Sequence, residues 1–277
     1  MQKVKLIALD MDETLIPSST EEVSEENARA IAAAQKAEIP VTIATGRIYT
    51  YTKNTVDELN INIPVIASNG ADIRLNHKPL KTDSLDIKDV ESVINEASRF
   101  DGMMRFIFSG DYIYTTPKDK NEHLFERWLK NSPGGILPVK YFNSFDEIFP
   151  EVEGNVQKIL LWAQNKNQHN EAKNNLDGLN GNFTVSNGED INLEINSKGM
   201  SKAEGLKFIA DRLNVPMENV MAIGDSGNDA SMLEAAGISV AVENAMPVAK
   251  EAAEYITASC LNDGVAEAIY RFTGIEK

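Results

Sequence analysis

Apolar positions follow two rhythms along this chain. Residues 4–9 are almost continuously apolar, the pattern of a short strand covered on both faces in a parallel sheet. Ser24 with Glu25 and Glu26 behind it reads as a helix N-cap followed by acids in the first turn. That helix runs to about residue 37 and stops ahead of Pro40, which disfavours helical backbone before it. Residues 41–44 give a second strand, 48–59 a helix and 64–67 a third strand. A hairpin is expected over 73–75 and 79–81, with Asn76 and His77 at its turn.

The rhythm then changes. Residues 103–109 and 112–116 read as a hairpin turning at Gly110 and Asp111. A strand over 156–163 and a helix over 168–176 follow. Two strands, 183–186 and 191–195, bracket a turn at Asn187, Gly188, Glu189 and Asp190. Neighbouring hairpins with helices between them predict an α+β insert.

Regular alternation returns with a helix over 201–213, a strand over 220–223 and a helix over 229–236. A strand over 238–242 comes next, then a helix with Pro247 as its first residue, and a closing helix over 261–272. The fold class expected is therefore α/β: a doubly wound, mostly parallel Rossmann-like core, residues 1–82 and 196–277, interrupted by an α+β cap domain, residues 83–195. The joints fall at Thr82-Asp83 and Ile195-Asn196.

Two domains suit a length of 277 residues. The chain carries 27 basic and 42 acidic residues, a net charge of −15, which opposes binding to nucleic acid and anionic membranes. No obligate protein partner is indicated. A single cysteine, Cys260, rules out an internal disulfide and suits a reducing compartment. No stretch is apolar enough for a signal peptide or a membrane span, so a cytoplasmic protein is expected. His77, His123 and His169 are scattered and expected at the surface, which disfavours zinc chemistry. The aromatics Phe106, Phe108, Tyr112, Tyr114, Trp128 and Trp162 are expected to pack in the insert's core.

The candidate chemistry sits at strand ends. Asp10 and Asp12 follow the first strand, Thr45, Gly46 and Arg47 the second, and Gly224-Asp225-Ser226-Gly227-Asn228-Asp229 the strand over 220–223. Open parallel sheets bind ligands beyond the C-terminal ends of their strands, where strand order reverses. If the two halves of the core wind in opposite directions, that point lies between the Asp10 and Asp225 strands. Asp10, Asp12, Asp225 and Asp229 then crowd one crevice. Two unit charges about 4 Å apart repel by about 4 kcal/mol at an effective dielectric near 20, so the cluster calls for a cation. Oxygen donors without His or Cys favour Mg2+. Asp-Met-Asp on its own could open a calcium loop, but Thr14 and Leu15 stand where that loop needs an oxygen ligand and a glycine.

These three pieces, with Lys202 opening a helix between the second and the third, resemble the haloacid dehalogenase superfamily of phosphohydrolases. The layout is similar to its Cof-type branch, subclass IIB, in which a large cap lies between the second and third motifs. The resemblance implies a Mg2+-dependent phosphatase of small phosphorylated metabolites, sugar phosphates foremost, working through an aspartyl-phosphate. It makes Asp10 the nucleophile and Asp12 the acid and base. Thr45, Gly46, Lys202 and Asn228 would hold the phosphate. Asp10, the Asp12 carbonyl and Asp225 would hold the metal, with Asp229 on a metal-bound water. Arg47, Asn69 and Gly70 would face substrate. From the insert, Ser186 and Asp190 are expected to do the same, because their turn lies just before the chain re-enters the core. A sugar phosphomutase and a non-catalytic phosphometabolite-binding regulator are the alternatives. Glu13 departs from the family's usual glycine. It is expected to adopt an ordinary backbone and point to the site entrance, and positive φ there would strain it.

Overall fold

The computed structural model describes residues 4–20, 22–117, 138–187 and 191–277. His123, Trp128, Gly188, Glu189 and Asp190 lie outside the described residues. The chain divides into two compact units, residues 1–80 with 201–277, and residues 81–200.

In the first unit β1 (Leu6–Leu9), β2 (Val41–Ile43), β12 (Val220–Gly224), β13 (Ile238–Ala241) and β14 (Tyr255–Ile256) form a parallel sheet in the order β14-β13-β12-β1-β2. Every residue of β1, β2, β12 and β13 is buried, which explains their unbroken apolar runs. The chain leaves β1 toward β2 and later returns to β12, on β1's other side. The reversal therefore falls between β1 and β12, as the strand pattern requires.

Helix α1 (Glu25–Lys36) links β1 to β2, and the Ser24 side chain accepts the Asn27 N–H at its start. Against it packs α9 (Gly264–Thr273), preceded by a 3-10 turn at Cys260–Asn262 in place of the single closing helix expected. Helix α2 (Tyr49–Glu58) follows β2. Strands β3 (Val65–Ala67), β4 (Asp72–Leu75) and β5 (Lys78–Thr82) form a small sheet, tied to the main one by a parallel bridge between Ala44 and Ile66.

In the second unit β6 (Met104–Ser109), β7 (Tyr112–Thr115), β8 (Val139–Tyr141), β9 (Val156–Trp162), β10 (Phe183–Asn187) and β11 (Asn192–Ser197) order as β10-β11-β9-β6-β7-β8. All neighbours are antiparallel except β7 and β8. Ile107, Ile159 and Ile195 lie opposite one another across three strands. They share a core with Val90, Val93 and Ile94 of α3 (Ile87–Ala97), Ile148 and Val152 of α4 (Phe145–Val152), and Ala172 and Leu176 of α5 (Lys166–Asp177). Strand β11 runs unbroken through Ile195 and Asn196, paired to β10 on one side, and the change of unit comes at 200/201.

Two expectations for this unit fail. Tyr112 is exposed, lying edge-on to Tyr114 with the Lys140 ammonium over its ring. His169 is buried on α5, with its Nδ1 3.1 Å from Asn170 Oδ1. It lies on the same buried face of α5 as Ala172 and Leu176, which a scattered position in the sequence does not reveal.

Candidate active site

Helix α6 (Lys202–Arg212) begins at Lys202, with the Ser201 side chain accepting the Glu204 N–H. Its seat is set by Gly70, whose φ of +100° is open to glycine and whose place admits no side chain, since a Cβ would lie 2.3 Å from Ser201 O. Gly70 is buried in that contact. It therefore positions α6, a role that its expected place facing substrate did not include.

Lys202 points back under the ends of β1 and β12. Its Nζ donates to Asp10 Oδ1 at 2.5 Å and to Asp229 Oδ1 at 2.7 Å. All three residues are buried. Burial works against the ammonium, but the facing Asp10 and Asp229 carboxylates outweigh it and hold the Lys202 pKa above its ordinary value. Burial first, then Asp229, pushes Asp10 well above the usual carboxylate range, and Lys202 offsets only part of this.

Asp229 uses both oxygens within the protein. While Oδ1 takes Lys202, Oδ2 accepts from the Asp225 N–H at 3.1 Å and the Ser226 N–H at 3.0 Å. It folds the loop after β12 around itself and orients Asp225. Burial, with Asp229 second, pushes Asp225 up to about 6, against the Thr14 hydroxyl that donates to Asp225 Oδ1 at 2.9 Å. Thr14 escaped the sequence reading as a site residue. Its place four residues after Asp10 was the available signal.

Thr45 is fully buried, and its Oγ1 accepts the Arg47 N–H at 3.1 Å. Asn69 N–H donates to Thr45 O at 3.1 Å, and Asn228 Nδ2 donates to Asn69 Oδ1 at 3.1 Å. A Cβ on Gly46 would meet Asn69 Oδ1 at 3.0 Å and Asn228 Nδ2 at 3.3 Å. Thr45, Gly46, Asn69 and Asn228 thus converge. The Asp12 side chain is forked by Arg47, through Nε to Oδ2 at 2.8 Å and through a second contact to Oδ1.

Glu13 has φ +56°, the conformation that favours glycine. The expectation of an ordinary backbone is corrected. Its carboxylate does not stand free at an entrance but accepts the Ser18 N–H at 2.9 Å and the Ser18 hydroxyl, and lies 3.6 Å from Cys260 Sγ. Asn244 Nδ2 donates to the Glu13 carbonyl at 2.8 Å. These bonds hold the loop in a form that glycine would adopt unaided. In the second unit, the Ser186 hydroxyl donates to Glu194 O at 3.2 Å.

Among the described residues, Asp10, Asp225 and Asp229 offer carboxylate oxygens within 4.8 Å of one another. Three buried acids, two with raised pKa values, fit a divalent cation that would relieve their repulsion.

The family of haloacid dehalogenase-like hydrolases matches residues 7–269. The chain belongs to this family. It is 33% identical over 286 residues to phosphatase YwpJ of Bacillus subtilis, covering 95% of this chain and 98% of that one. It is 30% identical over 273 residues to the 5-amino-6-(5-phospho-D-ribitylamino)uracil phosphatase YcsE of the same organism, covering 96% and 94%. A haloacid dehalogenase-like hydrolase from B. subtilis of known structure aligns with TM-score 0.84 at 31% identity, over 96% of this chain and 99% of that one. The subclass IIB sugar phosphatase BT4131 shares the fold, with TM-score 0.85 at 22% identity over 99% and 100%. This member of the haloacid dehalogenase-like hydrolases is a phosphatase.

Proposed function

We propose that the chain hydrolyses phosphate monoesters of small metabolites, sugar phosphates foremost, in a Mg2+-dependent reaction that passes through a phosphorylated Asp10. The observation that carries this reading is the buried Lys202 ammonium, shared between Asp10 and Asp229 at a strand end. A purely binding site needs a cation for phosphate. It does not need a carboxylate held against that cation and a second acid, Asp12, two residues on.

Mg2+ suits the oxygen-only donors Asp10, Asp225 and the Asp12 carbonyl, with Asp229 orienting the loop, and when bound it would supply positive charge to the phosphoryl oxygens. Lys202 occupies Asp10 Oδ1 and so leaves Oδ2 to attack phosphorus. As the Oδ2–P bond forms, the bond from phosphorus to the leaving oxygen breaks, and that oxygen takes a proton from Asp12. Lys202 balances the charge gathered on the transferring group. Thr45, the Gly46 amide and Asn228 receive its oxygens. Water then attacks phosphorus and gives a proton to Asp12, the P–Oδ2 bond breaks, and phosphate leaves with both aspartates restored.

Support for a sugar-like substrate comes from the YcsE relative, whose named substrate carries its phosphate on a ribityl chain. Ser186 and Asp190 belong to the unit that would select among such esters. The test is phosphate release from a panel of phosphorylated sugars, nucleotides and cofactors, with Mg2+ and with EDTA. Turnover of sugar phosphates that stops in EDTA and returns with Mg2+ is expected. No release from any ester, or release indifferent to chelation, would overturn the reading.

A further inference from the structure

The guanidinium of Arg47 grips Asp12 as a fork: Nε reaches Oδ2 at 2.8 Å and a terminal nitrogen reaches Oδ1. We propose that Arg47 is the positioning residue for Asp12, fixing the plane and direction of the carboxylate that exchanges protons with the leaving group. The proposal rests on Asp12 acting as acid and base, as set out above.

Two facts make the fork an aiming device. The Arg47 backbone is fixed on both sides, since its N–H donates to Thr45 Oγ1 at 3.1 Å and its carbonyl accepts the Ser68 N–H at 2.8 Å. The guanidinium therefore starts from the same turn that carries Thr45, and it ties the direction of the acid to the place where phosphate is held. Asp12 itself sits in a short turned loop, with a bridge to Ile16 and the Glu13 N–H donating to Ile16 O at 2.9 Å. Its side chain is 42% exposed. At that exposure an ion pair adds little to stability, while bidentate geometry still fixes orientation. A carboxylate has about four lone-pair sites and the fork uses two, so Asp12 keeps acceptor positions for the proton it transfers while Arg47 holds it.

A guanidinium that binds substrate phosphate and one that aims Asp12 give different kinetics. In the aiming role, Arg47→Gln lowers kcat on the panel's best sugar phosphate by about 10²-fold, the cost of a misplaced catalytic group. KM stays within about twofold, because ground-state binding is untouched. The loss on p-nitrophenyl phosphate is smaller, since nitrophenolate leaves without a proton. The deciding comparison is Arg47→Gln in an Asp12→Asn background, where it costs no more than about twofold, the usual scatter of additivity. Arg47→Lys, with one point charge and no fork, recovers part of the loss.

Equal losses on both esters, a raised KM, or losses that multiply with Asp12→Asn would each overturn the assignment, and so would full activity of Arg47→Gln. If Arg47→Gln does not fold, Arg47→Lys carries the same double-variant comparison. Failure of the phosphatase reading is separately visible: wild type would then release phosphate from no ester.

Discussion

Lys202 and Asp10 are separated by 192 positions in sequence and meet at 2.5 Å. The same ammonium lies 2.7 Å from Asp229, so one cation serves two buried acids. Lys202→Met should abolish turnover, and it should also destabilise the fold by about 3–5 kcal/mol, the usual cost of stranding buried charge. Mg2+ should restore part of that stability without restoring activity. Thermal unfolding and phosphate release measured on one sample check both halves. A Met variant as stable as wild type in EDTA would mean that the pair carries no such energy.

Asp12→Asn keeps the backbone carbonyl and therefore the proposed metal ligand. It should lose about 10²–10⁴-fold in kcat on sugar phosphates. The loss should shrink on p-nitrophenyl phosphate, provided that attack on phosphorus limits the rate. Identical losses on the two esters would remove Asp12 from the acid role.

The acid cluster predicts how pH and Mg2+ interact. Asp225 is raised to about 6, chiefly by burial, whereas an unfolded aspartate titrates near 3.9. Between those values the folded state binds more protons than the unfolded one. For this group, metal-free stability is therefore highest at low pH and falls as pH rises through that window. Protons and Mg2+ compete for the same carboxylates. The rise in Tm on adding Mg2+ should be larger at pH 7.5 than at pH 5, and equal increments would count against Asp225 as a ligand.

The Glu13 loop allows a sharper test of backbone strain. A non-glycine residue in the left-handed region costs about 1–3 kcal/mol, and here the Ser18 bonds offset it. Glu13→Ala keeps the strain and loses the bonds, while Glu13→Gly loses both. Alanine should therefore be the less stable of the two in chemical denaturation. The reverse order would show that the loop changes shape in the variants.

Much of this is legible in the amino-acid sequence. The unbroken apolar runs of β1 and β12 required a covered parallel sheet, and acids at their ends required a crevice. What the sequence hid has physical reasons. Helix α3 carries Val90, Val93, Ile94 and Ala97 on its buried face, a helical spacing that the expected elements did not include. Helix α4 has the same spacing at Phe145, Ile148, Phe149 and Val152, but Pro150 lies inside it. Lacking an N–H, that proline cannot bond back to Asp146 and disfavours helical backbone at Phe149, so the local sequence argues against the helix that forms. Arg47 and Asp12 were both flagged for other tasks. Their pairing depends on side-chain direction across two loops, which spacing along the chain does not encode.

The central claim is that Asp10 carries the phosphoryl group. Wild-type enzyme quenched during turnover of its best sugar phosphate should hold an acyl phosphate, which borohydride reduces to an alcohol. Peptide mass spectrometry should then find homoserine at position 10, dependent on substrate and Mg2+, and nowhere else in the chain. Unmodified aspartate at position 10 under steady turnover, with an acyl-phosphate standard reduced in the same tube, would contradict the account.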